Sequence, residues 1–285
     1  MQLSDAQTSV SPTTVRNLVG VAVSTDSISA YLTAQMEALQ VPGLSLAIIN
    51  EGQVVYHLVQ GEADRASARL GNQQTIFEAA SLSKPLFAYF VLSLVEEGLI
   101  ELDKPLYQYL PYPDIAHDQR YQHITARMVL SHTSGFPNWR RDTKAGQLSL
   151  LFEPGTGFGY SGEGYEYLAK VLQHLLQTDD AGLEATFQQY VGSTLGLSHT
   201  RFVQEEEDLA YKAGGHQNGS PVPPEDDPSR FGAAYSLHTE ALDFSKWLIA
   251  LFKQEGLSQE SFEQLFASQV SLPADHPQRQ LGVTD

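Results

Sequence analysis

Apolar residues at Ile28, Tyr31, Leu32, Met36 and Leu39 recur at helical spacing and predict a helix over 27–40, with Asp26 or Ser27 as its cap. Pro42-Gly43 then breaks the chain. Leu44–Asn50 and Gln53–Val59 are two β-type runs joined by Glu51-Gly52, which predicts an antiparallel hairpin followed by a loop to about Ile76. A second helical pattern runs from Ser81 to Glu97 and stops at Gly98. Leu86, Phe87, Phe90, Val91, Leu94 and Val95 leave it few polar faces, so it should be buried. Pro105, Pro111 and Pro113 mark 101–123 as loop. Ile124–Leu130 predicts a short helix with Thr125 as a cap, and 131–162 is rich in Gly and Pro. Further helices are predicted at 164–177, 183–195, 238–254 and 258–268.

This pattern has many helices and one hairpin. A lone hairpin is marginal in water and needs further strands or a covering layer. Either the helices cover it, or partner strands come from beyond Asp285 or from another chain; the second is the expectation, on the order of 50 further residues.

Composition narrows the function classes. The chain of 285 residues carries 34 acidic against 17 basic side chains, a formal charge of −17, which repels nucleic acids and anionic membranes. With no Cys, disulfides, thiolate zinc sites and cysteine nucleophiles are excluded. The nine His have no H-E-x-x-H or other tight ligand spacing, so neither a metal nor a cofactor is expected. The longest apolar run, Leu86–Val95 with Ser93 within it, is too short to span a bilayer. The N-terminal stretch lacks the basic head and apolar core of a signal peptide. That leaves both a cytoplasmic chain and an exported one with its signal removed.

Ser81-Leu82-Ser83-Lys84 is the strongest chemical signal. A spacing of three puts Ser81 and Lys84 on one helical face, beside backbone N–H donors at a helix start. A serine hydroxyl needs a neighbouring base to become a nucleophile, and burial weakens a lysine's hold on its proton. Taken alone, a helix cap and a solvated lysine explain the same residues.

The neighbourhood changes that balance. The segments Phe77–Lys84 and Leu94–Asp103, preceded by Val41–Ala47, resemble the serine β-lactamase and penicillin-binding-protein family. The nearest likeness is to its class C branch with the related esterases and D-amino-peptide hydrolases. Ile124–Gly135, containing His132-Thr133-Ser134-Gly135, resembles that family's HTSG segment. Pro154–Gly162, containing Tyr160-Ser161-Gly162, resembles its YSN segment, and Ala233–Phe244 resembles a later stretch. Together these ordered matches are far more specific than any one of them.

The resemblance implies an α/β (α+β) fold, an antiparallel sheet flanked by helices with a mostly helical subdomain. The expected division is a polar tail over 1–26, an α/β part with hairpin and nucleophile helix over 27–103, a helical subdomain over 104–230, and a truncated return to the α/β part over 231–285. It implies Ser81 as acylated nucleophile, Lys84 as its proton partner, Tyr160 as a second proton carrier, and the Ser81 N–H as an oxyanion donor. His132 is expected to be a packed, hydrogen-bonded residue. Gly162 stands where the family usually has an Asn that holds the lysine and the substrate's amide; Glu163 or a water is expected to substitute. A third motif, a Lys- or His-containing triad ending in Gly, is not found after residue 244, and His216–Gly219 reads as an exposed turn. The implied activity is hydrolysis of a β-lactam, D-amino-acid peptide or small ester through an acyl-enzyme, in a periplasmic or secreted setting. The alternative is a non-catalytic β-lactam- or peptidoglycan-binding or sensor protein, or an inactive fragment, on the same scaffold.

Overall fold

The computed structural model describes residues 7–8, 14–143, 146–224, 227–272, 274–276 and 279. The chain begins with β1 (Gln7–Thr8), β2 (Thr14–Arg16), β3 (Ala22–Ser24), α1 (Thr25–Leu39), β4 (Gly43–Asn50), β5 (Gln53–Asp64), β6 (Arg69–Leu70) and β7 (Phe77–Glu78). Helices α2 (Ser83–Glu96), α3 (Ala126–Leu130), α4 (Glu163–Leu176), α5 (Asp180–Phe187), α6 (Ser193–Leu195) and α7 (Glu206–Leu209) follow. The described part closes with β8 (Gly215–Gln217), β9 (Ser220–Val222), β10 (His238–Thr239), α8 (Ala241–Lys253) and α9 (Gln259–Phe266). Two units form. One comprises Met1–Ala79, Val191–Ser229 and His238–Gly256; the other comprises Ala80–Tyr190, Arg230–Leu237 and Leu257–Asp285. Helix α2 belongs to the second unit, whereas the sequence reading grouped it with the hairpin.

In the first unit β4 and β5 form the expected hairpin, with Leu46 opposite Leu58. Glu51 and Gly52 have φ of 51° and 70°. Two successive left-handed residues give a turn whose twist matches the strands. Strand β5 runs five residues beyond the predicted Val59. Its alternate residues serve two faces: the Tyr56 hydroxyl lies 2.6 Å from Ser29 Oγ of α1, and His57 Nε2 lies 3.7 Å from Glu240 at the start of α8. Helices therefore cover both faces. Strands β1 and β6 pair with β5, so the sheet has four strands among the described residues, two of them only two residues long. Strand β4 lies at one edge of it. Parts of the predicted N-terminal tail are instead β1, the β2–β3 pair and the start of α1, and residues 1–6 and 9–13 lie outside the described residues. Of His216–Gly219, read as an exposed turn, Asn218 and Gly219 make the β8–β9 turn at φ of 51° and 74°, while His216 and Gln217 belong to strand β8.

The second unit is built on α2. From Ser83 to Leu94 every residue but Pro85 is buried. Phe87 packs against Tyr165 and Phe231 with ring centroids 5.8 and 6.1 Å away, and Phe90 meets Phe187 edge-on at 5.7 Å. Helix α4 buries Tyr165, Tyr167, Leu168, Val171 and Leu172, and Tyr167 stacks on Tyr112 at 4.4 Å. Thr125 caps α3 as predicted, its hydroxyl accepting the Met128 N–H.

Gly61 sits where the hairpin bends close to the chain entering it. Its φ is 85°, and a Cβ there would lie 2.2 Å from the Pro42 carbonyl. Gly61→Ala is expected to lower unfolding stability by at least about 2 kcal/mol, from left-handed strain plus overlap with backbone. Urea denaturation followed by circular dichroism measures it; a loss within experimental error contradicts this account of the bend.

Candidate active site

Ser81 lies on a single 3-10 turn, Ala80–Leu82, that leads into α2. The predicted helix start at Ser81 is thus two residues early. Ala80 has φ of 46°, a left-handed conformation unusual for Ala. Ser83 stabilises the turn: its hydroxyl donates to the Ala80 carbonyl (2.6 Å) and accepts the Leu237 N–H (3.0 Å). Ser81 remains exposed, while Lys84 is 4% exposed. Lys84 Nζ donates to Ser81 Oγ (3.3 Å) and to the Ala234 carbonyl (2.9 Å). The one-turn spacing read from the sequence thus brings this hydroxyl and amine together.

Tyr160 reaches the same place along a different route. The Gly159 N–H donates to the His132 carbonyl (2.8 Å), and the Ser161 N–H donates to His132 Nδ1 (3.1 Å). Ser161 Oγ donates to the Pro137 carbonyl (2.8 Å) and accepts the Gly164 N–H (3.0 Å) at the start of α4. Asn138 takes the Gly162 and Glu163 N–H groups on its carbonyl. The two glycine-rich segments are therefore joined along their length, and Tyr160 follows from that joint. Its ring lies 4.6 Å from Lys84 Nζ, with the Tyr165 ring 5.8 Å away on α4. The ammonium meets the faces of both rings, a favourable electrostatic contact.

His132 acts as this joint's pivot. Its φ is 59°, and its ring lies 4.5 Å from that of Tyr160. Burial, and secondarily the positive charge of Lys84, pull its pKa down to about 4. A neutral ring agrees with Nδ1 accepting a hydrogen bond, since an imidazolium has no acceptor.

Gly162 lies beneath an aromatic ring. A Cβ there would stand 2.7–3.0 Å from three atoms of the Trp139 indole. The expectation that Glu163 substitutes for the family's amide is corrected. Its carboxylate is buried and held by Arg140, through the backbone N–H at 2.8 Å and the guanidinium at 2.9 and 3.0 Å. Arg140 also bridges to Asp114 and to the Tyr112 hydroxyl. Glu166, one turn further along α4, accepts the Ala234 N–H at 3.1 Å, on the peptide neighbouring the carbonyl that holds Lys84. Burial pushes its carboxyl up to about 7, against the opposing effects of that N–H and of Arg230.

Ala234, Ser83, Trp139 and Glu166 were not singled out from the sequence. Ala234 contributes only backbone atoms, and Trp139 and Glu166 owe their positions to tertiary packing. Ser83 lies within the S-x-x-K motif, and its nearness to Ser81 was the one available signal.

Among the described residues, His199, Glu240 and Asp243 of the first unit have ligand atoms within 4.8 Å of one another. Their carboxylates are engaged: Asp243 with the His199 N–H and Lys246, and Glu240 with the N–H groups that begin α8. That arrangement is a helix cap with an ion pair. No helix of the described residues is long and apolar enough to cross a membrane.

A family model described as Beta-lactamase matches residues 28–283. The chain belongs to the beta-lactamase family. Within that family it is 28% identical over 214 residues to Esterase EstB of Burkholderia gladioli, covering 62% of this chain and 53% of the relative. It is 32% identical over 142 residues to Penicillin-binding protein 4* of Bacillus subtilis, covering 43% and 30%. The chain thus spans about half the length, or less, of the curated relatives it matches. Its fold is shared with the octameric penicillin-binding protein homologue from Pyrococcus abyssi, at a TM-score of 0.72, 22% identity, and 89% and 62% coverage. It is shared too with the D-alanine carboxypeptidase AmpC from Burkholderia cenocepacia, at 0.69, 21%, 84% and 67%. These neighbours bear out the mixed, antiparallel fold expected from the sequence. The beta-lactamase family comprises serine hydrolases, the named esterase among its members.

An unfolded His132 takes up a proton near pH 6.5, but the folded one does so only near 4, so stability is lost as pH falls through that window. His132→Asn keeps an acceptor, tolerates the positive φ and does not titrate. Urea midpoints between pH 7 and 4 should fall less steeply in this variant; an unchanged slope refutes the assignment. Separately, Arg140→Met leaves Glu163 buried without its partner and should cost on the order of 2 kcal/mol at pH 7. Arg140→Met/Glu163→Gln should recover part of it in the same assay, and no recovery contradicts the pairing.

Proposed function

We propose that the chain is a serine hydrolase that opens an ester, or less readily an amide, through an acyl-enzyme on Ser81. The observation that carries this reading is the contact of 3.3 Å between Lys84 Nζ and Ser81 Oγ, made by a buried lysine whose other hydrogen-bond partner is a carbonyl. An amine held by a neutral acceptor is free to exchange its proton with the serine in a way that an amine locked to a carboxylate is not.

In the first half-reaction the Ser81 oxygen bonds to the substrate carbonyl carbon as its proton passes to the Lys84–Tyr160 pair, which must be one proton short to take it. The resulting oxyanion faces the N–H groups of the turn that opens α2. The tetrahedral intermediate then collapses: the bond to the leaving group breaks, and that group departs with the proton relayed from Lys84 by way of the Tyr160 hydroxyl. In the second half-reaction a water gives a proton to the same pair and attacks the acyl carbon. The bond to Ser81 breaks, the serine recovers its proton, and a carboxylic acid leaves. Esters are favoured because residue 162 offers no side-chain amide, and because an alkoxide leaves far more readily than the nitrogen anion of an amide, so an ester depends less on proton delivery to its leaving group. The named esterase among its relatives agrees with this choice.

Intact-protein mass after incubation with p-nitrophenyl acetate tests it. One acetyl adduct is expected, mapped to Ser81 and absent in Ser81→Ala. Lys84→Met should slow its formation by roughly 10²–10⁴-fold. A folded wild-type protein with no Ser81 adduct from acetyl, benzoyl or β-lactam donors ends the hydrolase reading. An adduct that forms once and never clears selects the binding or sensor reading.

A further inference from the structure

The turn that presents Ala234 to Lys84 is closed by its own hydrogen bonds, and those bonds pass around Ala234. The Tyr235 and Ser236 N–H groups donate to the Gly232 carbonyl (3.0 and 2.9 Å), and the Gly232 N–H donates to Ser236 Oγ (2.9 Å). The Leu237 N–H anchors the far end on Ser83 Oγ. Ala234 itself is fully buried and takes its partners from outside the turn. Its N–H donates to Glu166 Oε1 (3.1 Å), and its carbonyl accepts Lys84 Nζ (2.9 Å).

These two bonds sit on either side of one Cα. A buried N–H without a partner is costly. If Glu166 let go, Ala234 would have to rotate toward another acceptor, and its carbonyl would turn with it. That carbonyl is the neutral acceptor that holds the Lys84 amine 3.3 Å from Ser81 Oγ. Glu166 therefore acts on the amine through a single backbone residue.

Glu166 is suited to change its grip reversibly. Burial pushes its carboxyl up to about 7, where a small change in pH alters its charge. Arg230, at the head of the turn, favours the ionised form, while Glu163 and Lys170 on α4 oppose one another. Glu163 is itself bound by Arg140, and Lys84 meets Ala234 from α2. An ionised carboxylate accepts an N–H in a charge-assisted bond about twice as strong as one to a neutral acceptor.

We propose that Glu166 is a positioning residue for Lys84: through the Ala234 N–H it fixes the carbonyl that aims the amine at Ser81, tightly when its carboxyl is ionised and loosely when it is protonated. The site then gains from higher pH for a reason separate from the protons that Ser81, Lys84 and Tyr160 exchange. This deepens the proposed hydrolase function and rests on it for any effect on rate, but not for the coupling of Glu166 to Lys84.

The test uses Glu166→Gln, which keeps an acceptor for the N–H and does not titrate. The rate at which p-nitrophenyl acetate acylates Ser81 is read by intact mass after acid quenching. The ratio of wild type to variant cancels the titrations the two proteins share. It should be near one at pH 5.5 and rise to roughly fivefold at pH 8.5, with a midpoint near 7. Arg230→Gln, at an exposed position, should move that midpoint to higher pH, because a charge favouring the carboxylate is gone. A midpoint that stays or falls overturns the assignment of the step to Glu166. A second readout needs no turnover. In protein labelled with 13C-lysine, the Lys84 13Cε resonance, assigned by its loss in Lys84→Met, should shift with a component near pH 7 that Glu166→Gln lacks. That component without any Ser81 adduct sinks the hydrolase reading and leaves the positioning role standing. A Ser81 adduct with a flat rate ratio and no such component sinks the positioning role and leaves the hydrolase standing.

Discussion

A lysine ammonium withdrawn from water is the constraint around which the second unit is arranged. Leaving a charge in a poorly solvated place is costly unless its hydrogens find partners. Lys84 finds one in the Ala234 carbonyl, one in the Ser81 hydroxyl and electron-rich faces in Tyr160 and Tyr165. Neighbouring groups fit this solution. His132 stays neutral beside it, and Glu163 is drawn toward Arg140. The result is a lysine that is fixed in position without being neutralised by an acid.

Fixing it takes three separate stretches of chain. The turn at Ala80–Leu82 comes from the start of α2, and the Tyr160 segment is joined to His132–Asn138 by backbone hydrogen bonds. The Ala234 carbonyl comes from a third stretch, whose neighbouring amide is held by Glu166 and whose Leu237 N–H is held by Ser83. Ser83 thus serves two stretches at once. Its hydroxyl is as much a part of the local architecture as the residues on either side of it.

How much of this could be read beforehand follows from where the information resides. The pairing of Ser81 with Lys84 was legible because it is local, one helical turn on one face. The hairpin and its left-handed turn were legible for the same reason, as was the Thr125 cap. Tyr160 was legible only through the likeness of several ordered segments, since nothing near it in the chain points to Lys84. The role expected of Glu163 was corrected because it lies next to Gly162 in sequence yet faces Arg140, 23 residues earlier. The Trp139 indole over Gly162 was invisible because a glycine in a loop does not reveal which ring lies over it. The short strands β1 and β6 were missed because two-residue pairings leave no period in the sequence.

Gly162 beneath the Trp139 indole also limits the order in which this site can change. Any side chain at 162 would have to occupy space that three indole atoms already fill. A substitution at 162 is therefore obstructed while Trp139 remains, whatever that side chain might gain in recognition. If Trp139 is first replaced by a smaller residue, those three overlaps are gone. The two positions form a one-way gate in mutational terms: the route to a site bearing an amide at 162 passes through residue 139 first.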